Sequence, residues 1–180
     1  MFYTSTYESP LGNILLAADE IGLTGLWFEG EKYFANTLTK DHFALETEIL
    51  INTKKWLSTY FSGKEPRFTP PLHPAGSAFR QEVWEILLQI PYGKTVTYGQ
   101  IAQKISETKN IPRMSAQAVG GAVGHNEISI IIPCHRVVGT NGSLTGYAGG
   151  IDRKIALLEL EHTDMSRFFV PKNLCHYDHP

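Results

Sequence analysis

The sequence predicts an α+β protein in two parts, a sheet-bearing N-terminal part and a helical C-terminal one. Three observations lead there. The stretch "GNILLAADEIGLTGLWF" alternates apolar and polar residues and breaks at Asp19 to Gly22, as a β-hairpin with one buried face does. The segment "GKEPRFTPPLHPAG" is too rich in proline and glycine to continue a helix or a central strand. Beyond it come several helical patterns, two of them joined by a polar loop in a helix-turn-helix outline.

Taken in order, the hairpin is followed by a helix whose apolar face is Leu45, Ile49, Trp56 and Tyr60 with Leu50, Leu57 and Phe61; Gly63 suits its end. The linker sets a boundary near Pro74. This divides the chain into residues 1–74, a second unit at 75–162 and a tail at 163–180. In the second unit Phe79, Val83, Trp84, Leu87 and Ile90 line a helix that ends at "PYG". Thr97 and Gln100, three apart, form a capping-box pattern that opens the next helix. After the polar loop "ETKNIPRM", Ser115 can cap a third helix, "AQAVGGAVGHN". The run "ISIII" reads as a buried strand, "GTNGSLTGYAGG" as a hairpin-like loop, and "IDRKIALLELE" as a final amphipathic helix.

Composition narrows the class. The chain has 180 residues with 16 basic and 18 acidic side chains, a net charge of −2, which argues against a strongly basic nucleic-acid binder. The excess acid lies before about Pro74, and the rest is nearly balanced. No basic flank leads into a long apolar run, and no stretch reaches the roughly 20 apolar residues of a membrane helix. A soluble, unprocessed cytoplasmic protein is expected. Cys134 and Cys175 form neither a CxxC pair nor a spaced framework, so both read as reduced thiols.

The chemistry concentrates in "SIIIPCHRVVG", Ser129 to Gly139. Buried cysteines are ordinarily inert small hydrophobes, and burial raises a thiol pKa above ~8.5. A reactive Cys134 therefore needs a base or a cation, which His135 and Arg136 can supply. Neighbours on a strand face opposite ways, so either the chain turns after Pro133 or a water bridges Cys134 and His135. Adjacent Cys and His suit one metal ion poorly, and no second ligand pair lies nearby.

Other residues have a bland and a sharp reading. Each glycine within a helix costs roughly 1 kcal/mol relative to alanine, yet the third helix carries Gly120, Gly121 and Gly124. Close helix packing and close approach to a ligand both explain this. Glu161 is by default a solvated acid; packed toward His135 it would orient the imidazole. Tyr98 and Tyr147 are half-buried aromatics that at a nucleic-acid site could stack on a base or donate to it. The tail residues Cys175, His176 and His179 could touch a metal, but a frayed terminus fits them better.

"PCHRVVG", preceded by "AVGGAVGHN" and followed by "GYAGG" and "LLELE", resembles the active-site region of the O6-alkylguanine-DNA alkyltransferases, in order from Phe79 to Glu161. The resemblance implies a small ribonuclease-H-like N-terminal domain and a winged helix-turn-helix-like domain for DNA binding and catalysis. It implies Cys134 as nucleophile and alkyl acceptor, His135 as its base through a water, Glu161 as the orienter of His135 and Asn126 as a hinge. Tyr98 would donate to the flipped guanine, while Tyr147, Ala148 and the backbone of Val137 shape the pocket. Ser115, Ala116, Gln117, Gly120, Gly121 and Arg136 would contact the DNA or the substrate. The implied partner is double-stranded DNA carrying O6-alkylguanine, with O4-alkylthymine as a second candidate substrate, bound by a monomer that needs no cofactor. Many members have an arginine where this chain has Gln117. The zinc-binding cysteines of some members have no counterpart, so no metal is expected. A non-catalytic reader of alkylated DNA is the alternative function.

Overall fold

Residues 1–172 are described by a computed structural model. The predicted hairpin is β2 (Gly12–Ala18) and β3 (Leu23–Phe28), antiparallel. Its turn is closed by the Asp19 carboxylate, which accepts the N–H groups of Ile21 and Gly22 at 2.8 and 2.9 Å. Two strands unforeseen in the sequence extend it. β1 (Phe2–Ser9) pairs antiparallel with β2, and the short β4 (His42–Ala44) pairs parallel with β1, giving the order β3-β2-β1-β4.

A half-buried hairpin was expected, but every residue of β3 is buried. Two segments distant in sequence cover it. The N–H of Leu23 donates to Pro71 O and that of His73 to Leu23 O, both at 2.7 Å, so the proline-rich linker lies along β3. Farther along, Leu26 N–H donates to Glu127 O and Ser129 N–H to Leu26 O.

The first helix, α1 (Glu48–Phe61), starts at Thr47, whose hydroxyl accepts from Leu50 N–H. It buries Leu50, Trp56, Leu57 and Tyr60. Leu45, expected on its apolar face, precedes the helix and is exposed. Gly63 follows the C-terminus at φ 83°, where a side chain would be strained.

In the second half, α2 (Ala78–Leu88), α3 (Tyr98–Lys109) and α4 (Ala116–Gly124) fall where helical spacing places them. A two-residue strand, β5 (Val96–Thr97), leads into α3. Both halves of the Thr97/Gln100 capping box form, and the Ser115 hydroxyl caps α4 by accepting from Ala118 N–H. The loop between these helices is shorter than the sequence suggests. Glu107 to Lys109 continue α3, which ends at Asn110 in the left-handed region at φ 50°.

The expected strand "ISIII" does not form. Ile128 makes a single bridge to Leu26, the next residues turn, and Ile130 has φ 70°. The Asn126 side chain stands in for a neighbouring strand: Nδ2 donates to the carbonyls of Ile128 and Ile132, and Oδ1 accepts from Ile128 N–H. The loop can therefore be buried with key backbone groups satisfied.

A single 3₁₀ turn, Cys134–Arg136, then leads into β6 (Val137–Val138), parallel to β5. The 139–150 loop turns on itself through Gly139 N–H to Ser143 O at 2.9 Å, but Ser143 bridges Phe169 instead of building a hairpin. The last helix, α5 (Ile151–Leu160), closes the domain. Buried residues of both halves join in one apolar core, from Ile14 and Leu57 to Val83, Val123 and Ile132. Among the described residues, no helix is long and apolar enough to cross a membrane.

Candidate active site and nucleic-acid interface

The turn after Pro133 settles how Cys134 and His135 are arranged. With the backbone in a 3₁₀ turn, both side chains point inward, and Cys134 is 5% and His135 0% exposed. Asn126 Nδ2 donates to Cys134 Sγ at 3.2 Å, in addition to its two backbone carbonyls. Asn126 is thus more than a link between α4 and the loop.

On the far side of the imidazole, His135 Nε2 lies 2.6 Å from Glu161 Oε1. Glu161, by default a solvated acid, is 2% exposed at the end of α5. Burial alone would raise its carboxyl pKa, but His135 and Arg136 together pull it down to about 2, so it is a carboxylate at neutral pH. A carboxylate takes the Nε2 proton as a hydrogen bond. Burial keeps the His135 pKa low, so the ring is neutral and Nδ1 is left as the acceptor. Nδ1 is buried and has no hydrogen-bond partner among the described residues.

Arg136, expected at the DNA or substrate surface, lies elsewhere. Its Nε and Nη2 donate to the two Glu161 oxygens at 2.9 Å each, and Nη1 donates to Ile90 O at 2.7 Å. The guanidinium is buried because this fork fits a carboxylate so well. Tyr60 from α1 adds its hydroxyl to Glu161 Oε1 at 2.8 Å.

Burial pushes the Cys134 thiol up to about 11; Asn126 and the Lys154 ammonium oppose that, while Glu31 adds to it. At rest the sulfur is protonated, and ionisation requires its proton to leave for a base. Lys154 is itself fully buried on α5, donating to Val137 O at 2.6 Å and Thr145 O at 2.9 Å. No sequence pattern marks Tyr60 as a site residue, and for Lys154 the one signal is a lysine at an inward position of an amphipathic helix.

An open cleft of about 1040 Å³ runs beside this cluster. Its walls include Tyr98, Ala116, Gln117, Gly120, Gly121, Tyr147 and Ala148, seven of the residues singled out in the sequence. Ser115 caps the same helix, and the Val137 carbonyl is the one held by Lys154. The Tyr147 ring stands edge-on to His135 with centroids 6.5 Å apart. Tyr98, its pKa raised to about 12 by burial and then by Cys134, donates to Thr145 O at 3.2 Å. The cleft is also lined by Lys32 and Tyr33, which the sequence did not reveal. Lys32 N–H donates to Ala148 O at 3.0 Å, and Tyr33 stacks on His125 at 4.2 Å.

The glycines of α4 now have a reading. A Cβ on Gly121 or Gly124 would meet nothing within 4 Å, and one on Gly120 would only touch the Tyr98 ring at 3.9 Å. Close helix packing does not require them; the bare surface faces the cleft. The described residues contain no cluster of three or more His, Cys, Asp or Glu able to hold a metal. Cys175, His176 and His179 lie outside the described residues.

Fold and site together define an α+β protein with a buried cysteine held by Asn126 and an adjoining His135–Glu161 pair next to a helix-turn-helix cleft. Residues 78–163 match the 6-O-methylguanine DNA methyltransferase DNA-binding domain, and residues 2–74 match the ribonuclease-like domain of the same proteins. The chain belongs to the 6-O-methylguanine DNA methyltransferase family. It is 44% identical to a methylated-DNA–protein-cysteine methyltransferase of Methanosarcina acetivorans, covering 88% of this chain and 97% of that one. To the protein of the same name from Haemophilus influenzae it is 41% identical, covering 88% and 86%. Among solved structures it resembles the Mycobacterium tuberculosis O6-methylguanine methyltransferase, with a TM-score of 0.74 at 40% identity over 99% and 100% of the two chains. A complex of the M. tuberculosis protein with DNA gives a TM-score of 0.75 at 40% identity over 98% and 99%.

Proposed function

We propose that the protein repairs DNA by transferring the alkyl group of O6-alkylguanine to its own Cys134, once per molecule. The observation that carries this reading is the two adjoining pairs Asn126–Cys134 and His135–Glu161, buried beside the cleft of a family member. The alkylated oxygen lies inside the duplex, so the base must be flipped out to reach the sulfur. The bare face of α4, with Gln117 exposed on it, is the candidate for the minor groove and for the gap left by the base.

In the transfer the thiol proton passes to His135 Nδ1 through a water, and Glu161 stabilises the imidazolium that forms. The thiolate attacks the alkyl carbon in line. A carbon–sulfur bond forms, the bond from carbon to O6 breaks, and guanine leaves with the electron pair. Tyr98, which holds its proton at neutral pH, is the candidate to return one to the base. The product is a thioether, which water does not cleave, so the protein is consumed and no cofactor takes part.

Cys134→Ser tests the reading. The hydroxyl is of nearly equal size but a far poorer nucleophile, so binding to a methylated duplex should persist while transfer of a radiolabelled methyl group to protein falls to background. Full transfer by the variant would remove Cys134 from the mechanism. A wild-type protein that binds the lesion without taking up label would be a reader of damage.

A further inference from the structure

Helix α4 brings no charge of its own to the cleft. Its residues, Ala116–Gly124, are AQAVGGAVG, with the uncharged Gln117 in the first turn. Duplex DNA carries a negative charge about every 1.7 Å of its axis, so a surface that approaches it gains affinity from cations. Among the described residues, no acidic side chain lines the cleft, and the one lysine or arginine there is Lys32, from the turn after β3. The excess acid of the chain lies in its N-terminal half, yet at the cleft that half presents an exposed lysine.

A run of contacts ties this lysine to α4. The Lys32 ammonium stands 5.0 Å from the centroid of the Tyr33 ring, and that ring stacks on His125 at 4.2 Å with 23° between the planes. His125 Nδ1 in turn donates to Gly121 O, on the bare face of the helix, at 2.7 Å. Tyr33 takes this place in the left-handed region at φ 64°, a conformation a tyrosine holds only where its surroundings impose it. They do so here through the backbone. Lys32 N–H donates to Ala148 O at 3.0 Å and Asn36 N–H to Tyr33 O at 3.1 Å. The Arg153 guanidinium joins the same parts, donating to Leu11 O at 2.9 Å and to Glu29 O and Gly149 O at 3.3 Å each. The nearby Glu29 carboxylate accepts from Asn13 Nδ2 at 3.4 Å.

We propose that Lys32 is a second nucleic-acid contact, supplied by the N-terminal half: its ammonium pairs with a backbone phosphate of DNA bound against α4. Tyr33, resting on His125, is the positioning residue that keeps the ammonium at the cleft. A lysine suits this task as a compact point charge, and a phosphate contact fixes register without reading sequence. Holding the long side chain against a ring beforehand reduces the rotamer freedom lost on binding. The proposal rests on the reading that the cleft takes duplex DNA.

The test is an anisotropy titration of a short unmodified duplex at several salt concentrations around about 0.1 M. Lys32→Gln keeps the backbone tie to Ala148 and removes the charge. The slope of log affinity against log salt should become shallower by about 0.9, and binding at about 0.1 M salt should weaken roughly five- to tenfold, by the same factor for a duplex carrying O6-methylguanine. Tyr33→Ala should weaken binding roughly two- to fivefold, and Tyr33→Phe should restore it because the ring remains. Lys55→Gln, at an exposed position of α1 outside the cleft, changes the net charge equally and should leave the slope unmoved. An unchanged slope in Lys32→Gln, or an equal loss in Lys55→Gln, would overturn the contact; a Tyr33→Ala chain that binds like the parent would overturn the role of Tyr33. Binding is read without transfer. A chain whose slope falls with Lys32→Gln but which takes no methyl group from O6-methylguanine DNA fails the proposed function and leaves the contact standing, and methyl transfer with an unmoved slope does the reverse.

Discussion

Glu161 collects His135, both forks of Arg136 and Tyr60 on a carboxylate removed from water. Breaking such a buried pair leaves an uncompensated cation, so Glu161→Gln should cost on the order of 3 kcal/mol of stability. The carboxyl is held near 2 when folded against 4.5 when not, so its contribution is present above about pH 4.5 and fades as pH falls toward 2. Thermal unfolding of wild type should weaken across that window, and Glu161→Gln should lack that part of the decline. The same substitution, like His135→Ala, should slow transfer by ~10² at neutral pH, with the deficit shrinking as pH rises toward the thiol pKa. A His135→Ala protein as fast as wild type in single-turnover assays would remove the base. The sequence "PCHR" made the thiol and imidazole legible because they adjoin. It could not reveal that Arg136 turns inward, since that depends on a carboxylate 25 residues away.

Helix α4 spends helical stability on surface. Gly121 is exposed, and an added methyl group meets nothing within 4 Å. Gly121→Ala should therefore stabilise the free protein by up to about 1 kcal/mol while weakening its affinity for duplex DNA. Urea unfolding and binding titrations would check the two halves; tighter or unchanged DNA binding would show that the bare face does not approach a ligand. Helices were legible at this scale because their signals are local: a capping box needs Thr97 and Gln100 three residues apart. The Ile128–Ile132 stretch was not. A short apolar run fits a buried strand and a buried turn equally, and here the Asn126 side chain decides for the turn.

Across the whole molecule the N-terminal half braces the site. Tyr60 reaches Glu161 from α1, the proline-rich linker pairs with β3, and one core spans both halves. Tyr60→Phe keeps the ring but leaves Glu161 one donor short, so stability should drop by about 1 to 2 kcal/mol, read from the melting temperature, and transfer should slow. An unchanged melting temperature and rate would make that brace incidental. Long-range joins of this kind cannot be read from periodicity, which explains why the two-part layout was legible and the contacts between the parts were not. The fate of one methyl group tests Cys134 as the single acceptor most directly. After exposure to excess duplex DNA carrying O6-methylguanine, intact-mass and peptide spectra should show one added methyl group per chain, on Cys134, with no further turnover. A methyl group on Cys175 instead, or more than one lesion cleared per molecule, would contradict it.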